Sequence, residues 1–520
     1  MKRNKKKVLI FALIIAFSAT GHSFAKTHRP WVSFRKKNEK ELPAKIYEKM
    51  RYVKTRSSGG LTLDECIQIA VENHMPLVIA KKQMELAKFR VFEAMRKLAP
   101  AVTFKWEESY GKVSNKYYDG TKILFEGKQP VFYGGENIFA IKQARTNLEI
   151  VKNDYDRIKS ELILQIRKAY YSMDKAKKAF RVQQKLKDGT DKFYNIAKSG
   201  YNAEVIPQLE FLEVTSQYNQ VNFQMMSAKE DIEVANLILQ QAMDVGYDVD
   251  TIELEKPKII DLDLENCFTL AILHRPEIKI SKLSITYFGY EKKIMQARAN
   301  WPRVDLLGMY GNTREDYTRD EFENYKNPDG PTPPDWAEGK NPRWLAPEFY
   351  FGIKVSMPFF GSTTNWSYMN EDWQPVVQTY HGTQSTTSIL SVGILDKLED
   401  ISGAKEADLE ETRAYEELRK KREEVALEVK ETYFKYKKSV ILMDVAQSKV
   451  DFQEKQVAVL DIRRELGEAQ YSDVLEEMIK LGEEEFSYIQ AIADYYIAIA
   501  TLNKAIGMDW YFDVDAEKEQ

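Results

Sequence analysis

The stretch Leu61-Thr-Leu-Asp-Glu-Cys66 decides the fold because the chain repeats it, as Leu262-Asp-Leu-Glu-Asn-Cys267. The only two cysteines of the 520 residues therefore occupy one position of a repeat. Each copy is followed by the same order of patterns: a helical segment, a proline, strand-like segments and a long heptad-like run. A repeat of this length is too long for a solenoid unit and predicts a duplicated half-structure.

Short strand-like segments follow the proline in each copy. The first copy has two within about 101–132, and the second has one at 303–312 and one at 348–360. Each is close to the roughly 9–11 residues that a tilted β-strand needs to cross a bilayer. Between Phe349 and Met357, apolar residues alternate with small or polar ones, which places them on one face. A strand of a soluble sandwich would show the same alternation, so both readings remain open at this point.

Long proline-free segments come next, and we expect long helices over 136–243 and 403–508. Apolar residues recur in the first of these segments at alternating spacings of three and four, as in packed helices. They are Leu162, Ile166, Ala169, Met173, Ala176 and Phe180. An ordinary coiled coil or helical bundle has the same pattern.

Composition excludes several classes of function. Lys plus Arg total 76 against 79 Asp plus Glu, so the net charge of −3 gives no reason to expect a nucleic-acid partner. The five histidines are scattered, and none stands at metal-ligand spacing to a cysteine or another histidine. No glycine-rich phosphate loop is present. We therefore expect no enzyme, no catalytic residue, no metal site and no cofactor.

The N-terminus indicates export. A basic segment, Met1–Lys7, precedes an apolar run at 8–19 and the small residues around Ala25. This order is typical of a cleaved signal peptide, predicted over 1–25. A polar N-terminal extension is predicted over 26–60, and an acidic tail over 511–520.

The whole order of segments resembles the TolC-type outer-membrane efflux proteins over about residues 61–509. The resemblance rests on the duplicated cysteine-containing segment, on the long helical runs, and on two related turns, Gln129-Pro-Val-Phe-Tyr-Gly-Gly135 and Ser356-Met-Pro-Phe-Phe-Gly361. It implies two repeats, 61–250 and 251–510, and a homotrimer. Each chain would give four strands to a shared 12-stranded transmembrane β-barrel, continued by a long α-helical periplasmic barrel. The strand-to-helix turns would contain Pro130, Gly134, Gly135, Pro358 and Gly361.

The resemblance also predicts a periplasmic tip, where each pair of long helices turns. Asp473 and Glu476 lie three residues apart, so they share a helix face and would form a ring of carboxylates at the mouth of a trimer. Alternatively, they only begin a helix, where acids favour the N-terminal dipole. The tip turns and adaptor-docking positions are predicted to include Gly200, Ile206, Pro207, Gly467, Val474 and Leu475. Arg464, Ala469 and Ile206 replace the residues that latch the tip in the family's best-studied closed state.

Two insertions depart from the family pattern. We expect 313–348 to be an extracellular loop of the barrel. We expect 362–401 to lie near the inner face of the outer membrane, with Trp366, Tyr368 and Trp373 in the headgroup belt.

The function that the resemblance implies is a passive outer-membrane channel of a tripartite efflux or type I secretion system. Its partners would be a periplasmic adaptor (membrane fusion) protein, an inner-membrane transporter and outer-membrane lipid. The expected localisation is the outer membrane, with the helical part in the periplasm. An alternative is a periplasmic coiled-coil scaffold or adhesin stalk without a pore.

Overall fold

A computed structural model describes residues 60–113, 116–254, 257, 259–318, 346–373 and 383–508. The predicted signal peptide and the acidic tail lie outside these residues. So does all of the polar N-terminal extension except Gly60.

The first repeat contains four helices and two strands. In chain order they are α1 (Leu63–Asn73), α2 (Met75–Arg96), β1 (Ala101–Val113), β2 (Lys116–Phe132), α3 (Glu136–Asn202) and α4 (Gln208–Met243). The second repeat has the same order, with two further strands. Its elements are α5 (Leu264–His274), α6 (Pro276–Asn300), β3 (Arg303–Thr318), β4 (Ala346–Phe359), β5 (Ser362–Trp373), β6 (Thr383–Gly393), α7 (Leu398–Glu465) and α8 (Tyr471–Ile506).

The duplicated segment starts a helix in both repeats for the same reason. The Thr62 hydroxyl accepts a hydrogen bond from the Glu65 backbone N–H, and Asp263 accepts one from Asn266. Such caps satisfy backbone donors that have no partner within the helix. One turn later, Cys66 and Cys267 are fully buried in two corresponding apolar clusters. The sequence repeat is therefore a structural repeat.

The long helices pack side by side in the order α4, α3, α8, α7. Helix α3 supplies a continuous buried face that includes Leu162, Ile166, Ala169, Met173 and Ala176, the spacing that predicted packed helices. Both helical ends of this row, α4 and α7, have only one neighbouring side within the chain. Among the described helices, none has a segment long and apolar enough to cross a membrane.

All six strands form one antiparallel sheet in sequential order, from β1 to β6. The four predicted strands are present, and two are longer than predicted: β2 begins at Lys116 and β3 continues to Thr318. The described residues therefore contain two strands beyond the four predicted. The insertion at 362–401 supplies the other two strands, because its Thr, Ser and aromatic residues suit a pleated surface and pair along β4.

The aromatic residues of the insertion are not grouped at one end of the sheet, as a place in one headgroup belt would require. Trp373 is paired with Glu348, at the end of β4 remote from the Gly361 turn, whereas Trp366 is paired with Val355. The predicted aromatic group is thus spread along a strand. The part of the other insertion at 319–345 lies outside the described residues, and its flanks belong to β3 and β4.

Side chains alternate between two unlike faces of the sheet. One face, here called the inner face, carries ion pairs such as Lys105–Glu126 (2.6 Å) and Lys128–Asp305 (3.0 Å). The other, the outer face, exposes apolar residues such as Phe104 and Phe351. A polar inside and an apolar outside are typical of a transmembrane barrel wall.

Candidate functional site

Two helical turns form the tip of the molecule, 203–207 between α3 and α4 and 466–470 between α7 and α8. One apolar cluster joins the helices that lead to both turns. It consists of Leu186, Ala197, Val214, Val221, Leu475 and Ile479, with Ile206 and Tyr471 packed against it. The Tyr471 backbone N–H also donates to Glu210 of α4 (3.2 Å). The structure therefore brings the two predicted turns together in a single tip.

The first-repeat turn is mostly apolar, with Glu204 as its charged residue. Gly200 lies in the last turn of α3, and its carbonyl accepts from the backbone N–H of Val205 (2.9 Å) and of Ile206 (3.3 Å). A Cβ at Gly200 would lie 2.6 Å from the Cδ1 of Ile206, so glycine makes room for that side chain. Pro207 is the N-cap residue of α4, with an extended backbone that the proline ring favours.

The second-repeat turn is polar and ends α7 with a glycine in the left-handed conformation. Gly467 has φ +78° and open space around its Cβ position, so only its backbone conformation calls for glycine there. Asp473 occupies the third position of α8 and accepts from the Gln470 backbone N–H (3.1 Å), completing a capping box. Asp473 is exposed and caps a helix at the same time.

Val474 and Leu475 do not face a partner. Both side chains are fully buried, Leu475 in the tip cluster, so an adaptor cannot reach them. Their prediction as docking residues is wrong, because the helix face that they share points into the chain. The exposed apolar residues at the tip are instead Val205 and Leu466, 77% and 70% exposed.

The second predicted carboxylate, Glu476, is exposed and paired with Lys480 (2.8 Å). Lys480 also contacts Glu477 (2.9 Å), and these two carboxylates hold the pKa of the ammonium above its usual value. In return, the hydrogen bond from Lys480 lowers the pKa of Glu477. Lys480 thus offsets part of the negative charge of Glu476 and Glu477, whereas Asp473 is engaged by the helix cap.

Arg464 has a structural role that the sequence did not assign. Its guanidinium lies 5.5 Å from the ring centres of both Phe193 and Tyr471, and it pairs with Asp461 (2.8 Å). An arginine near an aromatic face is attracted by the ring quadrupole. Arg464 therefore ties α7 to α3 and α8. The sequence offered one sign of this role: Arg464 replaces a residue that latches the tip in the family's best-studied closed state.

The first strand-to-helix turn needs both of its glycines. Pro130 precedes an irregularity in the pairing of β2 with β3. Gly134 has φ +60°, and a Cβ there would overlap the Cβ of Trp301. Gly135 has φ +85° and caps α3. The chain thus passes directly from β2 into α3.

The second strand-to-helix turn is interrupted by the β5–β6 hairpin, but its first and last residues still lie side by side. Pro358 lies near the end of β4, and Gly361, with φ +75°, packs beside Leu398 at the start of α7. The carbonyl of Gly361 accepts from the Lys397 backbone N–H (2.8 Å), and the Thr363 N–H donates to Asp396 (2.9 Å). The two ends of the inserted β5–β6 hairpin therefore meet.

Both end helices of the row are apolar on two opposite faces. On each, one face packs within the chain, and the residues on the other are exposed at heptad-like spacing. We call these the α4 stripe, Leu209, Leu212, Phe223, Met226, Val234 and Leu237, and the α7 stripe, Leu427, Phe434, Ile441, Val445, Phe452 and Val459. Stripes of this length are too large to be left in contact with water without a reason.

The cysteines and the ionisable side chains suggest no other chemistry. Burial raises the pKa of the Cys66 thiol to about 12, so the thiol stays protonated at neutral pH. Within the part of the chain that the structure describes, no group of three or more His, Cys, Asp and Glu is placed to hold a metal ion.

Comparison with known proteins supports the resemblance drawn from the sequence. Residues 66–244 match the family described as outer membrane efflux protein. This match covers about a third of the chain and confirms the resemblance to the TolC-type outer-membrane efflux proteins, and the chain has the TolC-type fold. No curated protein sequence matches it.

Solved structures agree over almost the whole length. The Campylobacter jejuni CmeC outer membrane channel is similar with a TM-score of 0.66 and 14% identity, over 95% of this chain and 97% of that one. The Vibrio cholerae outer membrane protein VceC gives 0.64 and 12%, over 86% and 96%. The open state of the Neisseria gonorrhoeae MtrE outer membrane channel gives 0.64 and 13%, over 86% and 89%. All three are described as outer-membrane proteins, in agreement with the predicted localisation, the outer membrane with the helical part in the periplasm.

Proposed function

We propose that this chain is the outer-membrane channel of a tripartite efflux or type I secretion system. Three copies form a passive exit duct for substrates that an inner-membrane transporter and a periplasmic adaptor deliver. The observation that carries the proposal is the pair of apolar stripes, on α4 and on α7, at the two opposite ends of one helical row.

The stripes explain why the chain does not act alone. When a second copy packs its α4 against α7 of the first, the two stripes at this contact are covered by heptad packing. The α4 stripe of the first copy and the α7 stripe of the second then remain uncovered. Only a closed ring covers them all, because each end then meets the other kind of end. Three copies is the number that the TolC-type resemblance implies.

The sheet has the same requirement. Strands β1 and β6 each keep one row of backbone groups unpaired within the chain. In lipid such an edge costs several kcal/mol per unsatisfied group, so the sheet must close with strands from other copies. Helices and strands thus both call for a ring.

The tip is the proposed selectivity element. Three copies would bring Asp473 and Glu476 together around the mouth, and carboxylate rings attract cations. Lys480 offsets part of this charge, so we expect a modest cation preference. The adaptor would dock beside the turns that contain Gly200 and Gly467, on exposed Val205 and Leu466.

Planar bilayers under a salt gradient test the channel and its mouth. The protein should conduct, with a reversal potential on the cation-selective side. Asp473→Asn and Glu476→Gln together should move that potential toward zero, whereas Glu483→Gln, an exposed acid higher on α8, should leave it unchanged. An unaltered potential in the double variant would remove both carboxylates from the mouth.

The oligomer is tested separately. Ile441→Asp places a charge in the α7 stripe and should convert the trimer to monomers in detergent, measured by mass. Lys435→Asp, on another face of the same helix, is the matched control and should remain trimeric. A water-soluble, rod-like wild-type protein without bilayer conductance would instead support the scaffold or stalk alternative.

A further inference from the structure

We propose that this channel closes as an 18-stranded barrel, in which β6 of one copy pairs with β1 of the next and the β5–β6 hairpin is part of the membrane wall. This inference rests on the proposed trimer, and three six-stranded sheets supply the strands. The four-strand contribution implied by the TolC-type resemblance would give 12.

The first observation is the continuous pairing of β4. From Glu348 to Phe359, each residue of this strand is paired with β5 on the side away from β3. Both edges of β4 are therefore occupied within the chain, and no backbone groups remain there for a neighbouring copy. The edges that remain are those of β1 and β6.

The orientation of the two free edges suits closure. Successive strands are antiparallel, so β1 and β6, the first and last of six, run in opposite directions. A rotation about the channel axis brings β6 of one copy antiparallel to β1 of the next. The barrel so formed is wholly antiparallel with an even number of strands, as is usual in bacterial outer membranes.

The second observation is that the apolar outer face continues onto β5 and β6. Apolar residues of the outer face are found on every strand: Val102, Phe104 and Trp106 on β1, Ile123 and Phe125 on β2, Leu306 and Tyr310 on β3, Phe349, Phe351, Ile353, Val355 and Met357 on β4, Trp366 and Tyr368 on β5, and Leu390 and Val392 on β6. A hairpin that only covered the sheet from the periplasm would not need this band.

The band runs diagonally across the sheet, as strand tilt requires. The ladder that starts at Phe104 passes through Phe125, Tyr310, Phe349 and Asp372 to Gln384, which is polar. The apolar residues of β6 begin six positions further along, at Leu390. With a tilt of about 40° and strands about 4.8 Å apart, residues at one membrane depth shift by about 1.2 positions per strand, or about six over five steps. The position of Leu390 is the one that tilt requires.

The inner face of the hairpin is mostly polar, with Met369 and Ile389 among its apolar residues. Asn365 and Ser367 on β5 and Ser385 and Thr387 on β6 lie on the face that carries Lys354 and Tyr350 of β4. The outer face of the sheet thus carries apolar residues, and the inner face carries mostly polar ones, across the insertion as well. Because barrel diameter grows roughly in proportion to strand number, the lumen would be about 1.5 times as wide as in a 12-stranded barrel.

Disulfide cross-linking tests which strand meets β1. In a Cys66→Ala, Cys267→Ala background, Thr103→Cys on β1 is combined with Ser391→Cys on β6, an inner-face position at the same depth by the tilt estimate. Thr103→Cys combined with Ile389→Cys tests a pairing of β1 with β6 that is shifted by two residues. Oxidation should join three chains into a covalent ring that reducing agent separates, seen as a trimer band in denaturing gels.

The matched control moves the cross-link to another strand. Thr103→Cys with Lys354→Cys on β4 should give no covalent trimer in the full chain. Deleting 362–396 joins Gly361 to Lys397, whose backbones are already hydrogen-bonded, and frees the edge of β4. In this deletion variant the Thr103–Lys354 pair should now cross-link.

The possible outcomes separate this inference from the proposed function. Cross-links from Thr103 to Lys354 in the full chain would overturn the 18-stranded barrel and leave a trimeric channel. Absence of any trimer or conductance would overturn both. Electron cryomicroscopy of the full and deleted proteins in lipid discs should show barrels that differ about 1.5-fold in diameter; equal diameters would also overturn the inference.

Discussion

The two repeats leave the sheet in different ways. In the first, β2 reaches α3 directly through Gly134 and Gly135, whereas in the second an entire hairpin separates Gly361 from α7. Both nevertheless use a glycine with positive φ packed against a side chain of a neighbouring segment, Trp301 in one case and Leu398 in the other. The difference teaches that the turn is retained while the strands attached to it vary.

The largest expected effect comes from a substitution in the first turn, which leaves less room for a side chain than the second. Gly134→Ala combines a left-handed backbone, which costs about 1–2 kcal/mol for other residues, with overpacking against the Cβ of Trp301 of about 1–3 kcal/mol. We expect a loss of about 3 kcal/mol in the free energy of unfolding. Gly361→Ala meets only the movable end of Leu398 and should cost about 2 kcal/mol.

Thermal unfolding of the detergent-solubilised protein, followed by circular dichroism, ranks these variants. Gly127→Ala, with ordinary contact distances and no positive φ, is the control. If Gly361→Ala lowered the midpoint more than Gly134→Ala, the first turn would not be the stricter one.

A smaller effect compares the two tips. Gly467→Ala should cost about 1 kcal/mol, because φ +78° is unfavourable while the surrounding space is open. Gly200→Ala instead adds a methyl group that meets Ile206, so its cost should fall when Ile206→Ala is also present. A double-mutant cycle on the unfolding midpoints measures this coupling. Strictly additive effects would show that the packing of the Ile206 side chain does not require a glycine at position 200.

The smallest expected effect is a pH dependence of the unfolding midpoint that arises from a glutamate of the second repeat. Burial raises the pKa of Glu485 on α8, as does the nearby charge of Glu454, against the opposing charge of Lys185 on α3. The folded state therefore holds this proton more tightly than the unfolded chain, and stability falls as pH rises from the ordinary glutamate pKa through the raised one. Glu485→Gln should raise the unfolding midpoint by about 1 °C at pH 7 and leave it unchanged at pH 4. An equal effect at both pH values would contradict a titration origin.

The sequence predicted what depends on local chemistry. The duplicated cysteine-containing segment, the heptad spacing of α3 and the turn glycines identified the helices, the repeat and the fold. The β5–β6 hairpin was missed because Thr and Ser alternate weakly with apolar residues, and its pairing along β4 is a tertiary property. The same limit applied to Leu475, which becomes buried only when α3 and α4 pack against α8.

The closeness of Gly361 and Lys397 has an evolutionary consequence. A segment whose two ends touch is gained or lost without displacing what precedes or follows it. In the proposed channel, the width of the barrel and the length of the helical part are then set by separate stretches of one gene, so a change in barrel width leaves the proposed adaptor-docking tip unaltered.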